Sequence, residues 1–163
     1  MKICVVGEGA ISNKHLDGLA NIEEAEVVAL VGGVEADTKE SAEKHGVPFW
    51  TLDLDEGINQ PGVEAVIIGS PTPIHAKQAI HCLKAGKHVE VEVPIADTLE
   101  DAQALQAAQK ETGLVAMGGH TRRFNPSHQW IHNKIKAGEL KIQQLCVQTY
   151  FFRRKNINAL GKP

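Results

Sequence analysis

Two glycines near the N-terminus have the spacing of a turn that binds a phosphate group. Residues 2–6 are a short apolar run, Gly7 and Gly9 follow it, and a helical pattern begins near Ser12. Gly7 would allow a tight turn, Gly9 would let the backbone approach a ligand, and the N–H groups of the helix start would bind an anion. With Ala10–Ile11, these residues predict a site for the pyrophosphate of a dinucleotide. A tight turn without a ligand is the alternative.

Two later loops carry residues that would extend this site. Ser70-Pro71-Thr72 follows the fourth apolar run, and Glu92 lies at the end of the fifth. Ligands of parallel sheets bind at the carboxyl ends of the strands, so the first loop is a candidate for contacts with the nicotinamide half of the cofactor, and Glu92 lies on the side where ligands bind. His75 is interpreted equally well as a cofactor contact or as a helix cap. For Glu92 the alternative is a structural ion pair with Lys87 or Arg123.

The end of the second apolar run bears on the choice of cofactor. NAD sites usually have a carboxylate there for the ribose 2′-hydroxyl, and NADP sites have a basic or small residue. This run ends at Gly32-Gly33, while Glu35 and Asp37 follow closely enough to swing near. We therefore expect NADP to be preferred, with NAD tolerated.

Basic residues in the last quarter of the chain are candidates for proton transfer and for substrate binding. His120 is a candidate proton acceptor, because an ordinary imidazole titrates near neutral pH. Arg122, Arg123, Arg153 and Arg154 could each hold a carboxylate through two hydrogen bonds. The alternatives are a hydrogen-bonded structural histidine and arginines that lie at the surface or between domains.

Composition favours a globular protein and excludes several classes. The 163 residues are 42% hydrophobic, and the three cysteines are far apart, without the spacing of metal ligands or a disulfide framework. We expect no metal site. The sequence shows neither a signal peptide nor a membrane span, so a cytoplasmic protein without membrane contact is expected.

Charge divides the chain into two parts of opposite sign. Residues 1–120 contain 8 basic and 19 acidic residues, a net charge of −11, whereas residues 121–163 contain 9 and 1, a net charge of +8. Because the basic residues are interleaved with helix and strand patterns, nucleic-acid binding is not expected. A small anionic molecule, or an acidic surface of the same protein, is the expected partner.

Apolar runs alternate with helical patterns, which predicts an α/β fold with a parallel sheet covered by helices on both faces. The runs are Ile3 to Val6, Glu26 to Val31, Pro48 to Trp50, Ala65 to Ile68, His88 to Val93 and Leu114 to Met117. Helices are predicted near residues 13–20, 37–45, 75–85 and 97–112. The last has Asp97 as its predicted cap, Glu100 three residues later and Gly113 at its end.

The alternation of apolar runs and helical patterns ends after Met117, which predicts a second domain. Asn125-Pro126 is a typical helix start, and Gly138 would end that helix. Alternating side chains from Leu145 to Phe151 then predict a strand with one buried face. No later segment could pair with it. We therefore expect one domain over residues 1–119, and over 120–163 the first helix and strand of an incomplete substrate and dimerisation domain.

Four motifs together resemble the N-terminal part of the Gfo/Idh/MocA oxidoreductases. They are Gly7-Glu8-Gly9-Ala10-Ile11 with His15 in the next helix, Ser70 to His75, Gly86-Lys87-His88-Val89 leading to Glu92-Val93-Pro94, and Arg123-Phe124-Asn125-Pro126. The resemblance implies a Rossmann doubly wound parallel sheet, followed by the truncated start of an α+β substrate domain. It also implies an NAD(P)-dependent dehydrogenase that acts on CH–OH donors, with Glu92 against the nicotinamide ribose or the substrate.

Residues 119–159 are similar to family members that oxidise the cyclic hemiacetal of a dicarboxylate in the breakdown of aromatic compounds. For this chain the resemblance implies a small dicarboxylate substrate, a nicotinamide cofactor that is usually NADP, and a homo-oligomer for the full-length protein. Further catalytic groups would lie beyond Pro163. We therefore expect the 163-residue chain to bind cofactor but to have negligible turnover.

Val93 departs from the family pattern. Members that oxidise sugar alcohols usually have a lysine there, which helps to remove the hydroxyl proton, and such a base contributes about 10²- to 10⁴-fold in rate. Because a hemiacetal hydroxyl is more acidic than an ordinary alcohol, Val93 favours hemiacetal oxidation. A sugar or polyol dehydrogenase and a non-catalytic nucleotide-binding module are the alternatives.

Overall fold

The computed structural model describes residues 1–148, and these contain one six-stranded sheet in which every strand pair is parallel. The strands are β1 (Lys2–Val6), β2 (Glu26–Val31), β3 (Trp50–Thr51), β4 (Val63–Ile68), β5 (His88–Val91) and β6 (Ala116–Gly118). Their order is β3-β2-β1-β4-β5-β6. In a sheet of this order the connections reverse direction between β1 and β4, where a crevice opens at the carboxyl ends of the strands.

Helices connect the strands. They are α1 (Ala10–Leu19), α2 (Glu35–His45), α3 (Leu54–Ile58), α4 (His75–Lys84) and α5 (Leu99–Thr112), and a short 3₁₀ helix (Thr72–Ile74) precedes α4. The five-residue α3 was not among the predicted helices; Asp53 caps it by accepting a hydrogen bond from the backbone N–H of Glu56. The predicted α/β class and parallel sheet are confirmed.

Strand β1 shows how the sheet buries both of its faces. Cys4 and Val6 belong to a core cluster that contains α4 and α5 side chains such as Leu83 and Leu105. Their neighbours Ile3 and Val5 belong to a second cluster with residues of α1 and α2. A strand covered on both faces reads as a continuous apolar run, which is why residues 3–6 are all hydrophobic. The core therefore lies on both sides of β1.

The carboxyl ends of five strands form one aligned row. Val31 of β2 pairs with Val6 of β1, Val6 with Ile68 of β4, Ile68 with Val91 of β5, and Val91 with Gly118 of β6. The residue after each strand therefore lies at the same edge of the sheet. This register brings loops that are up to 112 residues apart in sequence to one place.

Helix α5 begins two residues later than predicted. Its N-cap is Thr98, whose hydroxyl accepts a hydrogen bond from the backbone N–H of Asp101 and donates one to that residue's carboxylate. Asp97 is therefore not the cap, because Thr98 with Asp101 satisfies the capping arrangement one position further on. Gly113 ends the helix in the left-handed conformation, as predicted.

The described residues fall into two compact units, Met1–His120 and a second that begins at Thr121. The second contains a 3₁₀ helix (Thr121–Phe124) and α6 (Pro126–Lys136), which Asn125 caps by accepting the backbone N–H of Ser127. No helix within residues 1–148 is both long and apolar enough to cross a membrane.

The strand predicted from Leu145 to Phe151 is not formed over its described part. Residues 144–148 have no strand assignment, and the rest of the prediction lies outside the described residues. A β-strand needs a neighbour to satisfy its backbone hydrogen bonds, and none of the described segments pairs with this one. The alternating pattern predicts which side chains share a face, but it does not show whether a partner strand is present.

Candidate functional site

The turn after β1 has a backbone that only glycine fits. Gly7 has a φ of 112°, and a Cβ there would lie 2.7 Å from the Ser12 hydroxyl and 2.8 Å from the backbone of Gly69. Ser12, at the position of the usual third glycine, is fully buried, and its hydroxyl hydrogen-bonds the Gly69 carbonyl at 3.4 Å. The close contact between α1 and the sheet is therefore kept, because Gly69 supplies the space.

The N-terminus of α1 faces an open region. Gly9 is its N-cap, makes no side-chain cap, and has nothing within 4 Å of the position of a Cβ. The N–H groups of Ala10, Ile11 and Ser12 belong to the first turn, where a helix provides no acceptor. Open space in front of unpaired N–H groups suits an anionic group such as the pyrophosphate of a dinucleotide.

The loop after β4 is held in place by His75, the first residue of α4. This side chain is 2% exposed, and its Nε2 and Nδ1 lie 2.5 Å and 2.8 Å from the carbonyl oxygens of Ser70 and Pro94. The imidazole thus joins the loop after β4 to the loop after β5, where the Val93–Pro94 peptide is cis. Both ring nitrogens are occupied by backbone atoms, so His75 acts on the site by positioning Ser70.

The remaining residues of this predicted loop stand at the edge of the crevice. Pro71 leads into the 3₁₀ helix that begins at Thr72, and neither side chain caps it. The Ser70 hydroxyl donates to Gln78 Oε1 at 2.5 Å. Ser70, Pro71 and Thr72 therefore lie where the sequence predicts, directly after the end of β4.

Glu92 and Glu90 form a carboxylate pair that contacts α1. Glu92 follows β5, and its Oε1 lies 2.8 Å from Nε2 of His15, which is 77 positions away in sequence. Glu90 and Glu92 are two residues apart and share a face of the strand. One ligand atom from each of the three residues lies within 4.8 Å of the others.

Burial dominates the environment of Glu90. It raises the pKa of the Glu90 carboxyl above its usual value, His15 opposes this rise, Glu92 adds to it, and His75 again opposes it. Glu90 Oε2 is buried without a hydrogen-bond partner among the described residues. A histidine and two carboxylates could also hold a divalent cation, but the bond between His15 and Glu92 already accounts for their approach.

The end of β2 carries a carboxylate that the local sequence does not provide. Glu8, between the two glycines of the first turn, accepts hydrogen bonds at Oε1 from the backbone N–H groups of Gly33 (3.1 Å) and Val34 (3.0 Å). Gly32 is packed against Thr38, so that a Cβ would lie 1.8 Å from its hydroxyl oxygen. Gly32 and Gly33 therefore lie at the crevice with Glu8 beside them.

The chain after β6 passes close to the carboxylate pair. A Cβ at Gly119 would lie 2.3 Å from Glu90 Oε1 and 3.3 Å from the Glu92 carboxyl carbon, so that a larger side chain would collide there. His120 follows, exposed, with its backbone N–H donated to the Gly118 carbonyl at 2.7 Å. The predicted proton acceptor is thus at the same edge of the sheet as Glu92.

The arginines belong to the second unit. Arg122 and Arg123 line a cavity of about 560 Å³ within it, together with His128, Gln129 and His132. Cationic and neutral donors dominate this lining, which suits an anion. Arg153 and Arg154 lie outside the described residues. The structure therefore brings two of the four predicted arginines together.

Sequence reasoning missed the contacts of three residues in the first unit. The sequence-based predictions assign no contact to His15, Glu8 or Glu90. The partners of Glu8 and His15 are between 25 and 77 positions away, so no local spacing pattern could identify them. The one available signal was a charged residue placed between the two glycines of the turn.

Comparison with protein families gives two matches along the chain. Residues 1–120 match the Gfo/Idh/MocA model, an oxidoreductase family with an NAD-binding Rossmann fold. Residues 126–163 match a model of the C-terminal part of bacterial oxidoreductases.

Curated relatives include dehydrogenases of different substrates. The chain is 55% identical over all of its 163 residues to 4-carboxy-2-hydroxymuconate-6-semialdehyde dehydrogenase of Sphingobium sp. strain SYK-6, of which it covers 52%. It is 30% identical over 141 residues, 86% of the chain, to scyllo-inositol 2-dehydrogenase (NAD⁺) of Bacillus subtilis, of which it covers 41%. The chain thus spans about half the length of the curated relatives it matches.

A solved structure shares this fold with a cofactor in place. Scyllo-inositol dehydrogenase from Lactobacillus casei, with bound NAD(H) and scyllo-inositol, superposes with a TM-score of 0.81 and 29% identity, over 85% of this chain and 42% of that one. Three observations indicate the same family: the doubly wound sheet, the glycine turn after β1 and the match over residues 1–120. The chain belongs to the Gfo/Idh/MocA family of oxidoreductases.

Proposed function

We propose that this chain is the cofactor-binding part of a dehydrogenase that oxidises the cyclic hemiacetal of 4-carboxy-2-hydroxymuconate-6-semialdehyde to 2-pyrone-4,6-dicarboxylate. The observation that carries the proposal is the 55% identity over the whole chain to the dehydrogenase named for this substrate. Inositol dehydrogenases are more distant, at 30% identity for the Bacillus subtilis enzyme. Val93, in place of a lysine base, also favours the more acidic hydroxyl of a hemiacetal.

The reaction converts a carbinol carbon into a lactone carbonyl. The C–H bond breaks with its electron pair, the hydroxyl proton leaves to a base, and the carbon–oxygen double bond forms. When bound, a nicotinamide dinucleotide accepts the hydride. His120 is the proposed proton acceptor, because it is exposed and close in sequence to Gly119, which packs beside Glu92.

The other proposed roles are binding and orientation. The turn from Gly7 to Ile11 would hold the pyrophosphate, and Ser70 with Glu92 would position the nicotinamide half at the ends of β4 and β5. Arg122 and Arg123 would bind the substrate carboxylates, with Arg153 and Arg154 as further candidates. Together, these residues would hold the reacting carbon of the substrate against the cofactor.

The choice between the two dinucleotides follows from the end of β2. The sequence favours NADP⁺, with NAD⁺ tolerated, because neither Gly32 nor Gly33 carries a carboxylate. The hydrogen bonds of Glu8 to the backbone of Gly33 and Val34 place a carboxylate there from another loop. This contact argues for NAD⁺ and makes Glu8 the residue to test.

Calorimetry tests the substrate class on this chain. With a saturating nicotinamide dinucleotide present, we expect 2-pyrone-4,6-dicarboxylate to bind and scyllo-inositol not to bind. Arg123→Ala should weaken dicarboxylate binding by about tenfold or more, because a charge-assisted pair is lost, and should leave cofactor affinity unchanged. Lys136→Ala, an exposed basic residue outside the cavity lining, is the matched control.

Three results would contradict the proposal. Binding of scyllo-inositol alone would favour a polyol dehydrogenase. Cofactor binding without binding of either small molecule would favour a non-catalytic nucleotide-binding module. An equal loss in Arg123→Ala and Lys136→Ala would mean that the dicarboxylate responds only to general charge. Oxidation of the hemiacetal is followed by the absorbance of the reduced nicotinamide, and we expect negligible turnover by the 163-residue chain.

A further inference from the structure

Glu8 occupies a position that its place in the sequence does not suggest. It stands between Gly7 and Gly9, in the turn expected to face the pyrophosphate, yet its carboxylate reaches the end of β2. There Oε1 accepts the N–H of Gly33 at 3.1 Å and the N–H of Val34 at 3.0 Å. The side chain is half-buried, which favours this fixed orientation.

These two N–H groups lie where sheets of this order hold the adenosine ribose. In such folds the ribose 2′-hydroxyl meets an acidic side chain near the end of β2, and a 2′-phosphate is accommodated by an arginine. A 2′-phosphate would also need donors, and Gly33 and Val34 are the N–H groups that precede α2. In this chain the donors are already used by a carboxylate.

We propose that Glu8 makes this chain prefer NAD⁺ by holding its carboxylate where the 2′-phosphate of NADP⁺ would bind. This rests on the proposed function, in which the first unit binds a nicotinamide dinucleotide. Glu8 Oε2 makes no hydrogen bond within residues 1–148, so it can accept one from the ribose hydroxyls of NAD⁺. One side chain thus attracts one cofactor and repels the other.

The surrounding charges act in the same direction. Glu35 and Asp37 lie in the first turn of α2, directly after Val34. Residues 1–120 contain no arginine, and their net charge is −11. A phosphate dianion entering this edge would meet carboxylates without an opposing guanidinium, which is unfavourable by Coulomb's law. The preference for NADP expected from Gly32-Gly33 is therefore reversed in this proposal.

The test compares dissociation constants of NAD⁺ and NADP⁺ for the 163-residue chain by calorimetry. We expect wild type to bind NAD⁺ more tightly. In Glu8→Gln the acceptor oxygen is kept and the charge is removed, so that the preference should fall by about tenfold through gained NADP⁺ affinity. Glu8→Ala should gain NADP⁺ affinity and lose NAD⁺ affinity, because the ribose acceptor is gone. Circular dichroism verifies that each variant is folded.

Glu23→Gln is the matched control, since it removes one negative charge from an exposed position that precedes β2, at the opposite edge of the sheet from Gly33 and Val34. We expect its preference to stay within about twofold of wild type. A wild type that favours NADP⁺, an unchanged preference in Glu8→Gln, or an equal change in Glu23→Gln would each overturn the inference while leaving a dinucleotide site in place. If wild type bound neither cofactor, the proposed function would be overturned, and the role of Glu8 with it.

Discussion

The carboxylate of Glu92 takes its orientation from His15, and this contact can be tested directly. His15→Ala removes the 2.8 Å hydrogen bond, so that the Glu92 carboxylate keeps only the 3.3 Å bond from the backbone N–H of Val93. We expect cofactor affinity to fall about fivefold, which corresponds to about 1 kcal/mol for one lost hydrogen bond. Calorimetric titration with the preferred dinucleotide measures the change.

His81→Ala is the control for this prediction. His81 also bonds a carboxylate, that of Asp55 at 2.6 Å, but both side chains are largely exposed and belong to α4 and α3. This variant should keep wild-type affinity. A similar loss in both variants would mean that His15 acts through general stability and not through Glu92.

Glu90 should make stability depend on pH. Because the pKa of its carboxyl is raised mainly by burial, the folded chain binds more protons than the unfolded chain between the ordinary and the raised pKa. The free energy of unfolding therefore falls as pH rises through that interval. Glu90→Gln removes this titration, so we expect a higher Tm than wild type at pH 7 and no gain at pH 4.

Thermal unfolding followed by circular dichroism across this pH range tests the role of Glu90. Glu23→Gln, at an exposed acidic position, should follow the wild-type profile. If Glu90→Gln and wild type kept the same difference in Tm at pH 4 and pH 7, the loss or gain would come from packing and the titration argument would fail.

The exposed Cys146 should react with thiol reagents much faster than the two buried cysteines, Cys4 and Cys82. Burial raises the pKa of both the Cys4 and the Cys82 thiols to about 12, while Cys146 is exposed. Since the thiolate is the reactive form, an alkylating reagent at mildly alkaline pH should modify one thiol of the native chain and three of the unfolded chain. Mass spectrometry counts the adducts, and rapid modification of Cys82 in the native chain would contradict the buried position.

At the residue scale, sequence predicted the backbone positions of the site better than its side-chain contacts. Gly7 and Gly9 are recognisable because a turn of this shape restricts residue type locally. Glu8 and His15 are not, because their partners lie across the sheet and depend on the register of β1, β2 and β5. Only the folded chain brings these side chains together.

The two glycines of the turn between β1 and α1 should affect different properties. Gly7 should affect stability, and Gly9 should affect dinucleotide binding. Gly7→Ala places a Cβ at a φ of 112° and within 2.8 Å of Ser12 and Gly69, so we expect a loss of about 3 kcal/mol in the free energy of unfolding. Gly9→Ala points a Cβ into open space and should change stability by less than about 0.5 kcal/mol. It should nevertheless weaken dinucleotide binding by about tenfold or more, because the methyl group would meet the phosphates.

Urea unfolding and calorimetry on the same two variants give this comparison. Each glycine serves as the control for the other, since both are changed to the same residue in the same turn. If Gly9→Ala bound the cofactor as wild type does, the pyrophosphate would have to lie elsewhere.

At the element scale, the sequence located strands and helices well where burial was complete. Residues 3–6 and 26–31 coincide closely with β1 and β2, because strands covered on both faces are continuously apolar. The N-cap of α5 was placed one residue early, since Asp97 and Thr98 are both acceptable caps and only packing selects between them. The strand predicted from Leu145 failed over its described part because pairing depends on a partner, which periodicity does not report.

At the scale of the whole chain, two units carry net charges of opposite sign. We expect cofactor binding to depend on the first unit alone. All the residues of the glycine turn, the β4 loop and the β5 loop lie within Met1–His120. We expect a chain shortened to residues 1–120 to fold and to bind the dinucleotide within about threefold of the affinity of the 163-residue chain, because no donor of the site is removed.

Calorimetry on the shortened chain measures this, and Gly9→Ala in the same background is the control for specific binding. A loss of more than about tenfold would mean that residues after His120 complete the site. The first compact unit ends at His120, and the division into a nucleotide-binding domain over residues 1–119 and an incomplete substrate domain stays a prediction.

The division into two units also places one tryptophan in each unit. The two tryptophans are Trp50, half-buried in β3 of the first unit, and Trp130, 62% exposed on α6 of the second. Trp130→Phe would leave an emission signal that reports only the nucleotide-binding unit, and Trp50→Phe one that reports only the basic unit. The unfolding of each part can therefore be followed optically within one intact chain, without attaching a dye.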